Sequence, residues 1–146
     1  MKVHHTAVIT RDIEAATRFY RDGLGMQITL DIRPEGNFTT LFGAPEDRLH
    51  SIFLADPADP SAGTLELVEF DGVDQPPPPA GEGLRTGFFL VSFYVDYDVV
   101  VPRLAALGHP VEREISVPGR RGAQVRMGVL HDPDGVLVEL IDTPKG

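Results

Sequence analysis

The sequence contains no cysteine. That excludes a disulfide framework, a thiol nucleophile and thiolate metal ligation, so any metal would have to be held by histidine, carboxylate, backbone oxygen or water. Basic residues are in short supply: 13 Lys and Arg stand against 22 Asp and Glu, a formal net charge of −9. Nucleic acid and anionic membranes both require a basic surface, so neither is an expected partner. Cationic ligands and divalent metals remain compatible with this charge. Long apolar runs are also missing. The longest, Phe88 to Val95, is far too short to span a bilayer. The amino-terminal MKVHHT carries no apolar run of the kind a secretory leader needs. The expectation is a soluble, cytoplasmic protein.

What is present suits a small globular chain. The 146 residues, 42% of them hydrophobic, allow one domain or two half-domains sharing a core. Fifteen glycines and 13 prolines favour short strands and many turns. Val3 to Thr10 alternates as a strand, and Asp12 can cap a helix from Ile13 to about Leu24 with Ile13, Ala16, Phe19, Tyr20 and Leu24 as its apolar stripe. Further strands are expected over Met26–Ile32, Leu49–Ala55 and Thr64–Phe70, with a helical turn capped by Asn37 between the first two. Asp71 to Gly87, with Pro76 to Pro79 in a row, reads as an extended linker. A strand over Phe88–Val95, a helix capped by Asp98 and reaching Leu107, and strands over Val111–Val117 and Gln124–Leu130 follow.

The segment HDPDGVLVELID, His131 to Asp142, closes the chain with a turn and a β-branched strand. One residue interrupts that strand: Glu139, a carboxylate among apolar neighbours that must be paired, hydrogen-bonded or metal-bound if buried, or else lie on a wet rim. TLELVEF in the first half sets Glu66 in the same way, and RFYRDGLGMQI and RLAALGHPVEREI share a helix, a Leu-Gly stop and a strand. An internal duplication accounts for this. The expected architecture is α+β: two β-α-β-β-β modules, residues 1–70 and 88–142, joined by a linker over 71–87, forming a cupped, mixed and largely antiparallel sheet within a single 1–146 domain.

Two such sheets would each carry a helix on one face and leave the other face to line a cup. Alternation assigns His5, Ala7 and Ile9 to the cup face of the first strand, and Thr64, Glu66, Val68 and Phe70 to that of the fourth. In the second half Leu90, Ser92 and Tyr94 share one face, and Leu137, Glu139 and Ile141 share another. The converging set is His5, Glu66, Leu90 and Glu139, with Ser92 and Tyr94 placed to touch a ligand. His4 faces away in this register, and His131 could line the rim. His50 and His109 read as solvated. Arg120, Arg121 and Arg126 could meet an anionic substrate tail, with a solvated loop as the plainer alternative.

These residues resemble the vicinal oxygen chelate superfamily, which includes glyoxalase I, methylmalonyl-CoA epimerase, extradiol dioxygenases and the fosfomycin- and bleomycin-resistance proteins. The resemblance is carried by HTAVITRDIEAATRFYRDGLGM, TLELVEF and HDPDGVLVEL and covers nearly the whole chain. It implies a glyoxalase-like fold, a homodimer and, in the metal-dependent members, a divalent ion. By position its ligands would be His5, Glu66 and Glu139, with Glu66 or Glu139 as the catalytic base. One position departs: where glyoxalase-like members have a second histidine, this chain has Leu90, which cannot ligate. The remaining imidazole and two carboxylates suit Mn, Fe(II), Ni or Zn. Two functions follow as expectations. One is a metal-dependent enzyme of the lyase, epimerase or dioxygenase kind, in which the metal polarises two adjacent oxygens of a small substrate. The other is a metal-free binder of small molecules, similar to the bleomycin-resistance branch, which Leu90 and the acidic charge favour.

Overall fold

The structure, a computed structural model, describes residues 1–78, 84–119 and 122–143. Arg120 and Arg121 lie outside the described residues. The chain divides into two compact units, Met1–Pro76 and Pro77–Gly146.

In the first unit Asp12 ends β1 (His5–Ile9) and starts α1 (Ile13–Thr17). Its side chain accepts from Ala15 N, and Glu69 Oε2 accepts from Ile13 N at 2.9 Å. Two of the donors that a helix leaves unpaired at its start are thereby satisfied. The helix runs on into a π-helical segment, Arg18–Gly23. β2 (Gln27–Ile32), α2 (Phe38–Phe42), β3 (Leu49–Ala55) and β4 (Thr64–Phe70) complete the unit. The sheet order is β1-β4-β3-β2, with β1 and β4 parallel and the other pairs antiparallel. The register of β2 against β3 shifts between Ile28 and Leu30, a bulge.

Period-two alternation decides what each face buries. Val8, Ile52, Leu54, Leu65 and Leu67 are buried on one side of the sheet, and Ile13, Ala16, Phe19 and Tyr20 of the helical segment are buried too. Full burial of such side chains stabilises by roughly 1.5–3 kcal/mol each relative to exposure. On the opposite face, Leu49, Val68 and Phe70 form a second cluster, covered by Phe38, Ala44 and Val73. That cover occupies one end of the face. At the other end stand His5 and Glu66.

The second unit repeats the order with β5 (Val91–Val95), α3 (Tyr97–Ala106), β6 (Arg113–Pro118), β7 (Gln124–His131) and β8 (Leu137–Asp142). Its sheet runs β5-β8-β7-β6, again with first and last strands parallel. The turn before β8 is built as expected: Asp132 Oδ1 accepts from Asp134 N at 2.9 Å and Val136 N at 2.8 Å, and Gly135 supplies a φ of +88°. Val95, Val100, Leu104, Leu130, Val138 and Leu140 are buried.

Three expectations are corrected here. α3 is capped by Asp96, not Asp98, because the helix starts at the buried Tyr97; the Asp96 side chain accepts from Asp98 N. β5 begins at Val91 rather than Phe88. Its pairing partner β8 starts only at Leu137, straight after the turn, so Phe88 and Phe89 fall opposite residues that precede that strand. β6 begins at Arg113 rather than Val111.

Candidate functional site

His5 opens β1, and Ala7, two residues on, is in register with Glu66 of β4. His5 and Glu66 therefore sit diagonally on the same open face, within reach of long side chains. His5 Nε2 and Glu66 Oε2 are 3.1 Å apart, with the two side chains 34% and 16% exposed. Ser51 of β3 donates its hydroxyl to the other oxygen, Glu66 Oε1, at 2.6 Å. The Phe53 ring meets the His5 ring edge-on with centroids 5.4 Å apart. Phe53 is also the direct cross-strand neighbour of Glu66.

Behind His5, the Nδ1 atoms of His4 and His5 lie 2.7 Å apart. A hydrogen bond between them requires one to carry the proton and the other to accept. If His5 accepts, its Nε2 carries the hydrogen and donates to Glu66. If a neutral His5 donates, its Nε2 lone pair and a Glu66 lone pair face the same point, an arrangement that a proton or a metal cation between them would satisfy. His4 thus touches the site through the His5 ring, although the sequence register faced it away.

The donor set fits a divalent metal in chemistry and in spacing. Imidazole nitrogen and carboxylate oxygen are ordinary ligands for Zn and its neighbours, and two cis ligands at bond lengths of about 2.1 Å stand roughly 3 Å apart. His5 Nε2 and Glu66 Oε2 meet that separation. Among the described residues no group of three His, Asp or Glu side chains stands together as a complete protein ligand set.

The second unit carries the other candidates. Glu139 is half-buried in β8, in register with Ser92 of β5, whose hydroxyl donates to Glu139 Oε2 at 2.7 Å. Tyr94, two residues further along β5, is 76% exposed. Leu90 is half-buried and precedes the strand. Within this unit Ser92, Tyr94 and Glu139 lie on the face away from buried Val138 and Leu140.

The remaining candidates are engaged elsewhere. His131 Nδ1 sits 2.9 Å from Glu112 Oε1. Burial pushes the Glu112 carboxyl up, but the hydrogen bonds and charge of His131 outweigh this and hold it below the usual range. His50 lies within β3 and pairs with Asp31 at 2.6 Å, its side chain 20% exposed, so it is not a solvated loop residue. Arg126 does not offer itself to an anionic tail: Asp142 and Asp98 accept from it at 2.7 and 2.9 Å, and its guanidinium lies over the Tyr97 ring. Ser51 and Phe53 were missed from sequence, although alternation within LHSIFLA sets both opposite Ile52 and Leu54.

The family model described as Glyoxalase/Bleomycin resistance protein/Dioxygenase superfamily matches residues 2–140. A lactoylglutathione lyase-like protein of Aspergillus terreus is 34% identical over 153 residues, a match spanning 97% of this chain and 75% of that protein. Among solved structures, a glyoxylase/bleomycin resistance protein/dioxygenase domain from Frankia sp. EAN1pec superposes with a TM-score of 0.69 at 20% identity, over 99% of this chain and 98% of that one. A fosfomycin resistance protein from Listeria monocytogenes, solved with Mn(II) and sulfate, superposes with a TM-score of 0.58 at 16% identity, over 99% and 93%. At these identities the structural likenesses establish the fold.

Proposed function

The chain belongs to the glyoxalase/bleomycin resistance protein/dioxygenase superfamily, and from that premise we propose that it is a metal-dependent enzyme acting on a small substrate with two adjacent oxygens. The observation that carries the reading is the approach of His5 Nε2 and Glu66 Oε2 to 3.1 Å on an open sheet face. His5 and Glu66 would hold a divalent Mn, Fe, Ni or Zn ion, with Glu139 as the third protein ligand carried over from the superfamily pattern. When bound, the metal supplies Lewis-acid stabilisation of negative charge developing on the substrate oxygens.

The chain's own residues supply the rest. Both oxygens of Glu66 are already engaged, by Ser51 and by His5. Glu139 likewise accepts from Ser92, and one of these two carboxylates, Glu66 or Glu139, would take a proton from the substrate carbon and return it. Ser92 and Tyr94, on the Glu139 side of β5, would contact the substrate, with Leu90 as apolar lining. The proposal includes a homodimer in the cytoplasm, and sedimentation velocity on the purified chain tests the dimer.

Metal analysis of purified protein tests the enzyme reading. Stoichiometric Mn, Fe, Ni or Zn is expected, lost in His5→Ala, Glu66→Ala and Glu139→Ala. A folded chain without metal overturns it in favour of a metal-free small-molecule binder. Leu90, standing where glyoxalase-like relatives would have a ligating histidine, favours that second reading.

A further inference from the structure

The two oxygens of Glu66 face different partners. Oε2 lies beside His5, and Oε1 accepts from Ser51. Ser51 is 1% exposed, in mid-strand, in register with Ile32 on one side and Val68 on the other. So little water reaches it that its hydroxyl has the carboxylate as its available acceptor. At 2.6 Å this is a short, charge-assisted hydrogen bond. A glutamate with both oxygens free can turn about its last bond and present either one. A buried donor on Oε1 removes that freedom and leaves Oε2 as the oxygen presented beside the imidazole.

We propose that Ser51 is a positioning residue that fixes which oxygen of Glu66 is offered to a divalent cation, an inference that rests on the metal-dependent reading of this same site. Outer partners of this kind orient a ligating carboxylate and raise metal affinity without touching the metal. The second unit repeats the device in weaker form. Ser92 donates to Glu139 across a β5–β8 rung, but Ser92 is exposed and water can take its place.

The experiment is Mn(II) titration calorimetry on the full chain and on Ser51→Thr and Ser51→Val. Threonine and valine have nearly the same shape, and both suit a strand, so the pair isolates the hydroxyl. S51T is expected to bind Mn(II) within about threefold of the unsubstituted chain, and S51V to bind roughly 10- to 100-fold more weakly. Circular dichroism of the two variants should match that of the unsubstituted chain, which separates positioning from loss of the fold; S51V is expected to unfold somewhat lower than S51T, because one charge-assisted hydrogen bond is lost. Ser51→Ala adds no volume and should show the same loss as S51V even where the larger residues perturb β3. Equal affinity in S51T and S51V overturns the inference and leaves the metal reading standing. No Mn(II) binding by the unsubstituted chain overturns both.

Discussion

At Gly128 a Cβ would collide with the Tyr97 hydroxyl and crowd the Val111 side chain. The missing side chain is what lets the Tyr97 ring, 3% exposed, lie against β7 and donate a hydrogen bond from its hydroxyl to Glu114 Oε2 at 2.8 Å. Gly128→Ala is therefore expected to cost about 1–3 kcal/mol, the usual range for overpacking, read as a lower urea midpoint. Adding Tyr97→Phe to G128A should recover part of the loss, because the hydroxyl is the atom in the way. The same tyrosine yields a pH prediction. Burial, then the hydrogen bond and charge of Glu114, raise its pKa well above the ordinary 10.0. A raised pKa means that its contribution to stability is complete below the unfolded value of about 10 and declines as pH climbs beyond it. An ultraviolet phenolate titration through that value should be nearly the same for wild type and Y97F. A clear loss of signal in Y97F near pH 10 would show Tyr97 ionising normally. At this scale the sequence singled out His5, Glu66 and Glu139 as candidates, because an ionisable residue in an apolar strand is conspicuous, and the structure sets His5 beside Glu66. It could not reveal the pairing of Tyr97 with Gly128, since nothing along the chain says which residues meet across strands.

Helix ends and strand ends were legible where one residue type had one plausible job. Asp12 and Asn37 both cap as their positions suggest. Asp12→Ala should cost about 1 kcal/mol, measured by chemical denaturation. The misplacement at α3 came from two aspartates flanking Tyr97. Asp98 looked like the cap, but burial of the tyrosine pulls the first turn back to Asp96, and Asp98 instead receives Arg126. That shift moves Pro102 deeper into the helix than the sequence suggested. Proline there cannot donate to the Asp98 carbonyl, and an interior proline costs about 3 kcal/mol relative to alanine. Alanine gives back about 0.4–1 kcal/mol through a freer unfolded chain. Pro102 is exposed, so little packing is lost with it. Pro102→Ala is thus expected to stabilise by roughly 2 kcal/mol. A lower denaturation midpoint in P102A would mean that the ring makes a contribution its exposure does not suggest.

Over the whole chain, each unit lays down a strand, a helix and three more strands, and each pairs its first strand with its last in parallel. The duplication was legible because both halves spell it with a Leu-Gly helix stop and a glutamate in the closing strand. The substrate was not, because specificity in such a fold resides in side chains and loops that alternation does not describe. Charge is the other property of the whole chain that bears on function. A net −9 draws divalent cations toward the protein in general, so metal uptake alone does not demonstrate a site. Stability separates the two cases. An ion bound only by the native state at about 100 times its dissociation constant stabilises by roughly 2.7 kcal/mol, or about 5–10 °C for a chain of this length. Mn(II) should raise the melting temperature of the unsubstituted chain by that amount, and a chelator should reverse the rise. In H5A the rise should vanish, because one neutral imidazole is removed while the net charge, counted with neutral histidine, stays at −9. Diffuse attraction by the acidic surface is screened by salt beyond about 10 Å at 0.1 M, so a rise that persists in H5A and fades with added salt would assign the manganese to the surface and remove it from His5 and Glu66.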